Sequence, residues 1–277
     1  LIEFREVSKE FGDGTLAVAN FSLQIQPRST TALVGSSGSG KTTLLRMINR
    51  MVEPTTGTIE IDGEDIRLRS AVELRRSIGY VMQNSGLLPH FSVVDNIATV
   101  PVLQGVSRRQ ARADALELLD TVGLDRDIAK RYPAQLSGGQ QQRVGVARAL
   151  AGNPNILLMD EPFGAVDPIV RAELQQEVMR LQRELHKTIV FVTHDVDEAF
   201  LLGDQVVILE RGAAIAQVGT PTEIVTEPAS SFVADFVGVG HASRSLTIKH
   251  TKRGAILVDQ TGRVAGILDA EATEATP

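Results

Sequence analysis

Apolar and polar residues alternate over residues 1–7 and 21–25, the period of strands with one buried face. Residues 30–35 are apolar and run into a glycine-rich turn. Beyond Lys41 the spacing becomes helical, so that Leu44, Leu45, Ile48 and Met51 can share a face. A hairpin is predicted next, with 58–61 as one strand and Asp62-Gly63 at its turn. From about residue 84 to 150 the pattern is mainly helical. There Ser107 is suited to N-cap a helix whose Ala111, Ala115, Leu118, Leu119 and Val122 fall on one face, ending near Gly123. Short continuous apolar runs return at 156–159, 188–193 and 206–209, as in strands buried on both faces of a parallel sheet. Strands alternating with helices predict an α/β core with a helical insertion.

Composition narrows the chemistry. The 277 residues can bury one large domain with a short appendage. The chain has no cysteine, which removes disulfides, thiolate metal sites and cysteine nucleophiles. Its net charge of -6 argues against a nucleic-acid partner. The densest basic stretch, Arg67, Arg69, Arg75 and Arg76, is broken by Glu73 and apolar residues and reads as a solvated face. No apolar run approaches the roughly 18 residues that span a bilayer, and no secretory leader is visible. A membrane connection is therefore expected to run through a partner.

Gly35-Ser36-Ser37-Gly38-Ser39-Gly40-Lys41-Thr42 has the form G-x-x-x-x-G-K-[ST] between a predicted strand and a predicted helix. Glycines let the backbone curl so that its N–H groups point at phosphate oxygens, and the helix start adds its positive end. Lys41 is suited to bridging β- and γ-phosphates and the Thr42 hydroxyl to ligating Mg²⁺. A chance glycine-rich turn would lack the flanking strand and helix. A second acidic site follows the apolar run 156–159, where Asp160 and Glu161 fall at the carboxyl edge of the sheet. Asp160 is suited to holding Mg²⁺ through water and Glu161 to polarising an attacking water. On its own this pair could be an ordinary strand end.

Leu136-Ser137-Gly138-Gly139-Gln140, followed by Gln141-Gln142-Arg143, makes another helix start built for an anion. One fold with one γ-phosphate has little use for two such starts unless the second serves a neighbour's nucleotide. With this segment the chain resembles the ATP-binding cassette family, over residues 1 to about 240. That resemblance implies a P-loop NTPase cassette with an N-terminal antiparallel β subdomain, a mostly parallel core sheet and a helical subdomain over about 84–150. It also implies a head-to-tail dimer in which Leu136, Ser137, Gly138, Gly139 and Gln140 of one copy close over the ATP of the other. The ATP-binding set it assigns is Phe11, stacking on adenine, with the loop 35–42 and Thr43. Gln83 is assigned to sensing the γ-phosphate and Mg²⁺, beside Thr42 and Asp160, while touching a membrane subunit. Asp167 in Gly164-Ala165-Val166-Asp167 matches the D-loop aspartate, and His194 the switch histidine. Catalysis is implied for Glu161, His194, Lys41 and Gln83. Phe11 replaces the more frequent tyrosine, and Gly164 and Val166 stand where many members have Ser and Leu. His90, His186, His241 and His250 have no motif around them and read as bystanders.

One cassette without a spanning helix resembles importer subunits, which act on the cytoplasmic side of the membrane with separate permease chains and an extracytoplasmic substrate-binding protein. The stretches 83–98, 163–171 and 193–199 resemble the osmoprotectant branch, which imports glycine betaine, choline, carnitine or proline. Amino-acid and methionine importers share much of this pattern, and a non-transport cassette ATPase is a further alternative. Residues 255–269 read as strand, turn, strand and resemble the strand pair of a CBS module. The extension 241–277 is expected to be a truncated fragment of one, or else a small hairpin packed on the cassette or its dimer mate.

Overall fold

A computed structural model describes residues 1–83, 85–164, 167–239, 246–251, 254–258 and 264–267. The chain divides into two compact units, Leu1–Pro221 and Thr222–Pro277. The boundary expected near residue 240 falls inside the second of them.

The first unit opens with strands β1 (Ile2–Glu10) and β2 (Leu16–Ile25), followed by β3 (Thr30–Gly35) and helix α1 (Lys41–Ile48). Next come β4 (Thr56–Ile61), β5 (Glu64–Asp65), α2 (Ala71–Ser77) and β6 (Ile78–Val81). The insertion carries α3 (Val93–Leu103), α4 (Arg108–Thr121) and α5 (Gly138–Leu150), joined in part by single 3₁₀ turns. The unit then alternates β7 (Ile156–Asp160), α6 (Pro168–Leu185), β8 (Thr188–Thr193), α7 (Val196–Leu202), β9 (Gln205–Leu209) and β10 (Ile215–Gly219). The second unit contains almost all of α8 (Pro221–Thr226), all of α9 (Ser231–Val237), and β11 (Thr247–Thr251), β12 (Gly254–Val258) and β13 (Val264–Ile267). These last three form an antiparallel sheet in that order, so the strand pair expected at 255–269 is present, while its turn lies outside the described residues.

Two sheets build the first unit. One is antiparallel, in the order β2-β1-β4-β5. The other runs β10-β9-β3-β8-β7-β6 and is parallel throughout except at the β10 edge. Every residue of β3, β7 and β8 is buried, which is why these strands read as unbroken apolar runs. The two opening strands are longer than their alternation predicts because bulges interrupt it. The register shifts between Phe4 and Val7, where Glu6 takes a left-handed φ of 48°. Hydroxyls take up the displaced backbone: Ser22 accepts from the Glu6 N–H and Ser8 from the Asn20 N–H, each at 2.9 Å. Phe4 and Phe21 then pack edge to face at 5.2 Å in the core shared with α1.

The insertion is helical as the pattern predicts, and Ser107 caps α4 by accepting the Gln110 N–H. Its entry is held by a buried amide. Asn96 on α3 is fully buried, with its side-chain nitrogen within 3.1 Å of the Leu88, Phe91 and Ser92 carbonyls. Its side-chain oxygen accepts from the Leu88 N–H at 2.8 Å. Removing this amide takes away the partner it gives to the Leu88 N–H and the Phe91 carbonyl, so Asn96→Ala is expected to lower stability by about 1–3 kcal/mol in chemical denaturation. An unchanged midpoint would show that the 88–92 loop does not depend on Asn96.

Candidate functional site

The parallel register decides which residues meet. Val34 pairs with Thr193 across β3 and β8, and Asp160 pairs with Val192 across β7 and β8. The glycine-rich loop, the Asp160-Glu161 pair and the His194 turn therefore emerge side by side at the carboxyl edge of the sheet, where α/β folds bind ligands.

The loop is shaped by its own packing. Gly40 has φ 94°, and a Cβ there would lie 2.5 Å from the Ala17 carbonyl oxygen, so only glycine fits. On the same side the Ala213 N–H donates to the Ser39 carbonyl at 3.0 Å. Lys41 folds back over the loop, its Nζ donating to the Gly35 and Ser36 carbonyls at 2.7 and 2.8 Å and to Ser39 Oγ at 3.3 Å. Burial pulls the Lys41 ammonium below the ordinary lysine value, and the negative charges of Glu161 and Asp160 oppose that pull.

Asp160 is 3% exposed and gathers three donors. Thr42 Oγ1 lies 3.0 Å from one carboxylate oxygen, and the Tyr80 hydroxyl and Arg46 Nη2 lie 3.0 and 3.1 Å from the other. Burial pushes the Tyr80 hydroxyl up to about 12, with Arg46 pulling the other way, so Tyr80 stays a donor at neutral pH. The next residue, Glu161, holds a left-handed φ of 45°, a strained backbone for a glutamate, while its N–H donates to the Val192 carbonyl at 3.0 Å. Its Oε2 accepts from Gln83 Nε2 at 3.0 Å and lies 3.5 Å from His194 Nδ1.

Of these groups, Lys41, Thr42 and Glu161 border a cleft of about 790 Å³. Ser37, Gly38, Ser39, Gly40, Lys41, Thr42 and Thr43 form one wall, Thr15, Leu16, Ala17 and Ala19 another, and Glu161, Arg211 and Gly212 complete it. Phe11 is not among the lining residues. It is 40% exposed with Lys9 Nζ 5.2 Å from its ring centre, and its N–H donates to the carbonyl of Thr15 on the cleft wall at 3.0 Å.

The donor set suits a hard divalent ion. Thr42 and Asp160 present adjacent oxygens with Gln83 nearby, and no cluster of three acidic or histidine ligands occurs among the described residues. That pattern fits Mg²⁺, which takes one or two protein oxygens and completes its shell with phosphate and water, rather than a fully caged metal.

The 136–140 segment does not border this cleft. Ser137 caps α5, accepting the Gln140 N–H while Gln140 Oε1 accepts the Ser137 N–H. Leu136 is buried, and Gly139 packs so tightly on α6 that a Cβ would sit 2.2 Å from Val170 Cγ1. Arg143 reaches Glu173 at 2.7 Å across the same helix pair. Asp167 caps α6 by accepting from the Ile169 and Val170 N–H groups, both at 3.1 Å, and its neighbours 165 and 166 lie outside the described residues. Farther along α5, Arg148 donates at 2.7 Å to both the Ser85 and Gly86 carbonyls, seating on this helix the turn that follows Gln83.

Arg46, Tyr80 and Arg211 belong to the site without having been read from the sequence. Arg46 stands one helical turn beyond Thr42, a spacing that could have pointed to it. Tyr80 reaches Asp160 only because β6 pairs with β7.

The α5–α6 contact yields a direct expectation. Gly139→Ala should lower stability by about 1–3 kcal/mol through overpacking against Val170. Val170→Ala in the same chain should recover most of that loss in thermal denaturation. Equal losses with and without Val170 would place the strain elsewhere.

Comparison with known proteins agrees with this geometry. The family model described as ABC transporter matches residues 18–164. The choline transport ATP-binding protein OpuBA of Bacillus subtilis is 51% identical over 86% of this chain, which spans 62% of that protein's length. The glycine betaine uptake system ATP-binding protein YehX of Escherichia coli is 52% identical over 86% of this chain and is spanned to 77% of its length. Among solved structures, the ATP-binding cassette MJ0796, a dimer in a post-hydrolysis state with ADP and Pi, superposes with a TM-score of 0.73 at 34% identity. That match covers 80% of this chain and 99% of the other. The strand order, the cleft over the 35–42 loop and these relationships agree: the chain belongs to the ABC transporter family, as one of its ATP-binding cassettes.

Proposed function

We propose that this chain is the ATP-hydrolysing subunit of a membrane importer for osmoprotectants of the quaternary-amine class, such as glycine betaine, choline, carnitine or proline betaine. The observation that carries the hydrolysis is the convergence of Lys41, Thr42, Asp160, Glu161, Gln83 and His194 at one sheet edge. The cargo class rests on kinship, because curated relatives named for choline, carnitine and glycine betaine transport share about half of their aligned residues with this chain. The cassette itself has no contact with cargo.

In this reading ATP lies along the 35–42 loop with Thr43 at its end, its phosphates on the loop N–H groups and the start of α1. Phe11 and the adjoining wall at Thr15 flank the base. Lys41 leaves its carbonyl partners for the β- and γ-phosphates. Thr42, Asp160 and Gln83 are the residues that would hold Mg²⁺, which would supply charge neutralisation for the phosphates. Glu161 orients the attacking water in line with the γ-phosphorus, and His194 donates to the developing charge. The 136–140 segment does not line this chain's own cleft, which supports a head-to-tail dimer in which Ser137 and Gly139 complete the partner's site. The MJ0796 cassette is itself a dimer.

Coupling to permease subunits is proposed at the groove of about 580 Å³ beside the turn that follows Gln83. Leu88, Phe91, Leu103 and Tyr132 give it an apolar floor, with Arg108 and Arg112 at its rim, a surface suited to a short amphipathic cytoplasmic helix. No helix among the described residues is long and apolar enough to cross a membrane. Attachment is proposed to be peripheral, on the cytoplasmic side, through the permease subunits. An extracytoplasmic substrate-binding protein completes the proposed importer.

Glu161→Gln should reduce ATP turnover by about 10²-fold or more while leaving nucleotide affinity intact. Turnover at the wild-type rate would remove Glu161 from this role. Lys41→Ala should weaken nucleotide binding itself in an equilibrium titration, and normal affinity in that variant would contradict the cradle.

A further inference from the structure

Glu198, in the first turn of α7, is a buried carboxylate with no part in the hydrolysis described above, only 6% exposed. Burial pushes its carboxyl above the ordinary glutamate range, with the Thr193 hydroxyl pulling the other way. A carboxylate so placed needs partners, and Glu198 has them on two sides. Thr193 Oγ1 donates to its Oε2 at 2.6 Å. Its Oε1 lies 3.5 Å from Gln175 Nε2 and 3.8 Å from Arg171 Nε, a buried donor with no hydrogen bond among the described residues.

The Thr193 side closes a ring around His194. The Asp195 N–H donates to Thr193 Oγ1 at 3.0 Å, and the Glu198 N–H donates to Asp195 Oδ1 at 3.3 Å. Both chain neighbours of His194 are thus tied to Glu198, one through its side chain and the other through its backbone. His194 projects from this ring with its side chain 64% exposed and Nδ1 3.5 Å from Glu161 Oε2. The other side reaches α6, where Arg171 and Gln175 stand one turn apart on the helix capped by Asp167. Single hydrogen-bonded steps therefore run from α6 to the backbone that aims His194.

We propose that Glu198 is a positioning residue, tying the 193–195 turn to α6 so that His194 is held at a set distance from Glu161. The proposal rests on the reading of His194 as a contact to the γ-phosphate. The carboxylate is well suited to the task because one group accepts from the turn and from the helix at once. Its loss would leave the nucleotide cradle untouched, since Glu198 has no contact with the 35–42 loop among its hydrogen bonds.

The test is single-turnover ATP hydrolysis by the full chain, with affinity for a fluorescent ATP analogue measured in parallel. Glu198→Ala is expected to slow hydrolysis about 10- to 100-fold with affinity unchanged, the size of effect that misplacing a distant group produces. Glu198→Gln, which keeps a carbonyl acceptor for Thr193, should restore most of the rate, and Thr193→Val should follow Glu198→Ala. In a His194→Ala background, Glu198→Ala should cause no further loss. The same fold loss with and without His194, or a wild-type rate in Glu198→Ala, would overturn the proposal. If Glu198→Ala does not fold, Thr193→Val in both backgrounds decides the matter by the same criteria. A wild-type rate in His194→Ala alone would instead overturn the γ-phosphate reading of His194, and the positioning role with it.

Discussion

The hydrogen bond between Thr42 and Asp160 joins residues 118 positions apart in the chain, and the site depends on it. It forms because β3 and β7 flank the same strand, β8, with both pairings parallel, so Gly35 and Asp160 finish at one edge. A parallel sheet buried on both faces tolerates no slip in this register, because every residue of the three strands is inside the core. Once the edge is set, the rest of the chemistry is local. Lys41 and Thr42 open α1, Glu161 follows Asp160 on a strained backbone, and His194 follows β8 directly.

The same edge is joined by hydrogen bonds to the helical insertion. Gln83 leaves β6 two residues after its end and bonds Glu161, while the turn just beyond is gripped by Arg148 of α5. At its other end α5 begins with the capped 136–140 segment and is pressed onto α6 at Gly139 and Val170. The starts of α1 and α5 are therefore joined through hydrogen-bonded and packed contacts, and only the first of them lines the cleft. That arrangement suits an assembly in which each copy's second start serves a neighbour.

Much of this was legible in the residues, for reasons that can be given one at a time. Strands buried on both faces announce themselves as apolar runs, and the bounds predicted for Thr30–Gly35 and Thr188–Thr193 match those observed. The alternation predicts opening strands that are too short because bulges near Glu6 and Asn20 break it. β6 leaves no mark in the pattern because four residues, one of them glycine, carry too little periodic signal. Without β6 the sequence gives no reason to bring Tyr80 to Asp160. Glu198 is the sharper case: in sequence a glutamate inside Asp195-Val196-Asp197-Glu198 looks like solvated helix surface, and only the packing of α7 against α6 and β8 shows it to be buried. Motifs made of neighbouring residues survive in sequence, whereas contacts made by sheet order do not.

The most direct measurement of the central claim is to isolate the intact protein from native membranes in mild detergent and identify what accompanies it. Recovery of a multi-spanning permease together with a domain that binds glycine betaine, choline or a related quaternary amine is the expected result. Recovery of soluble partners alone would contradict the importer assignment while leaving the ATP site as it stands.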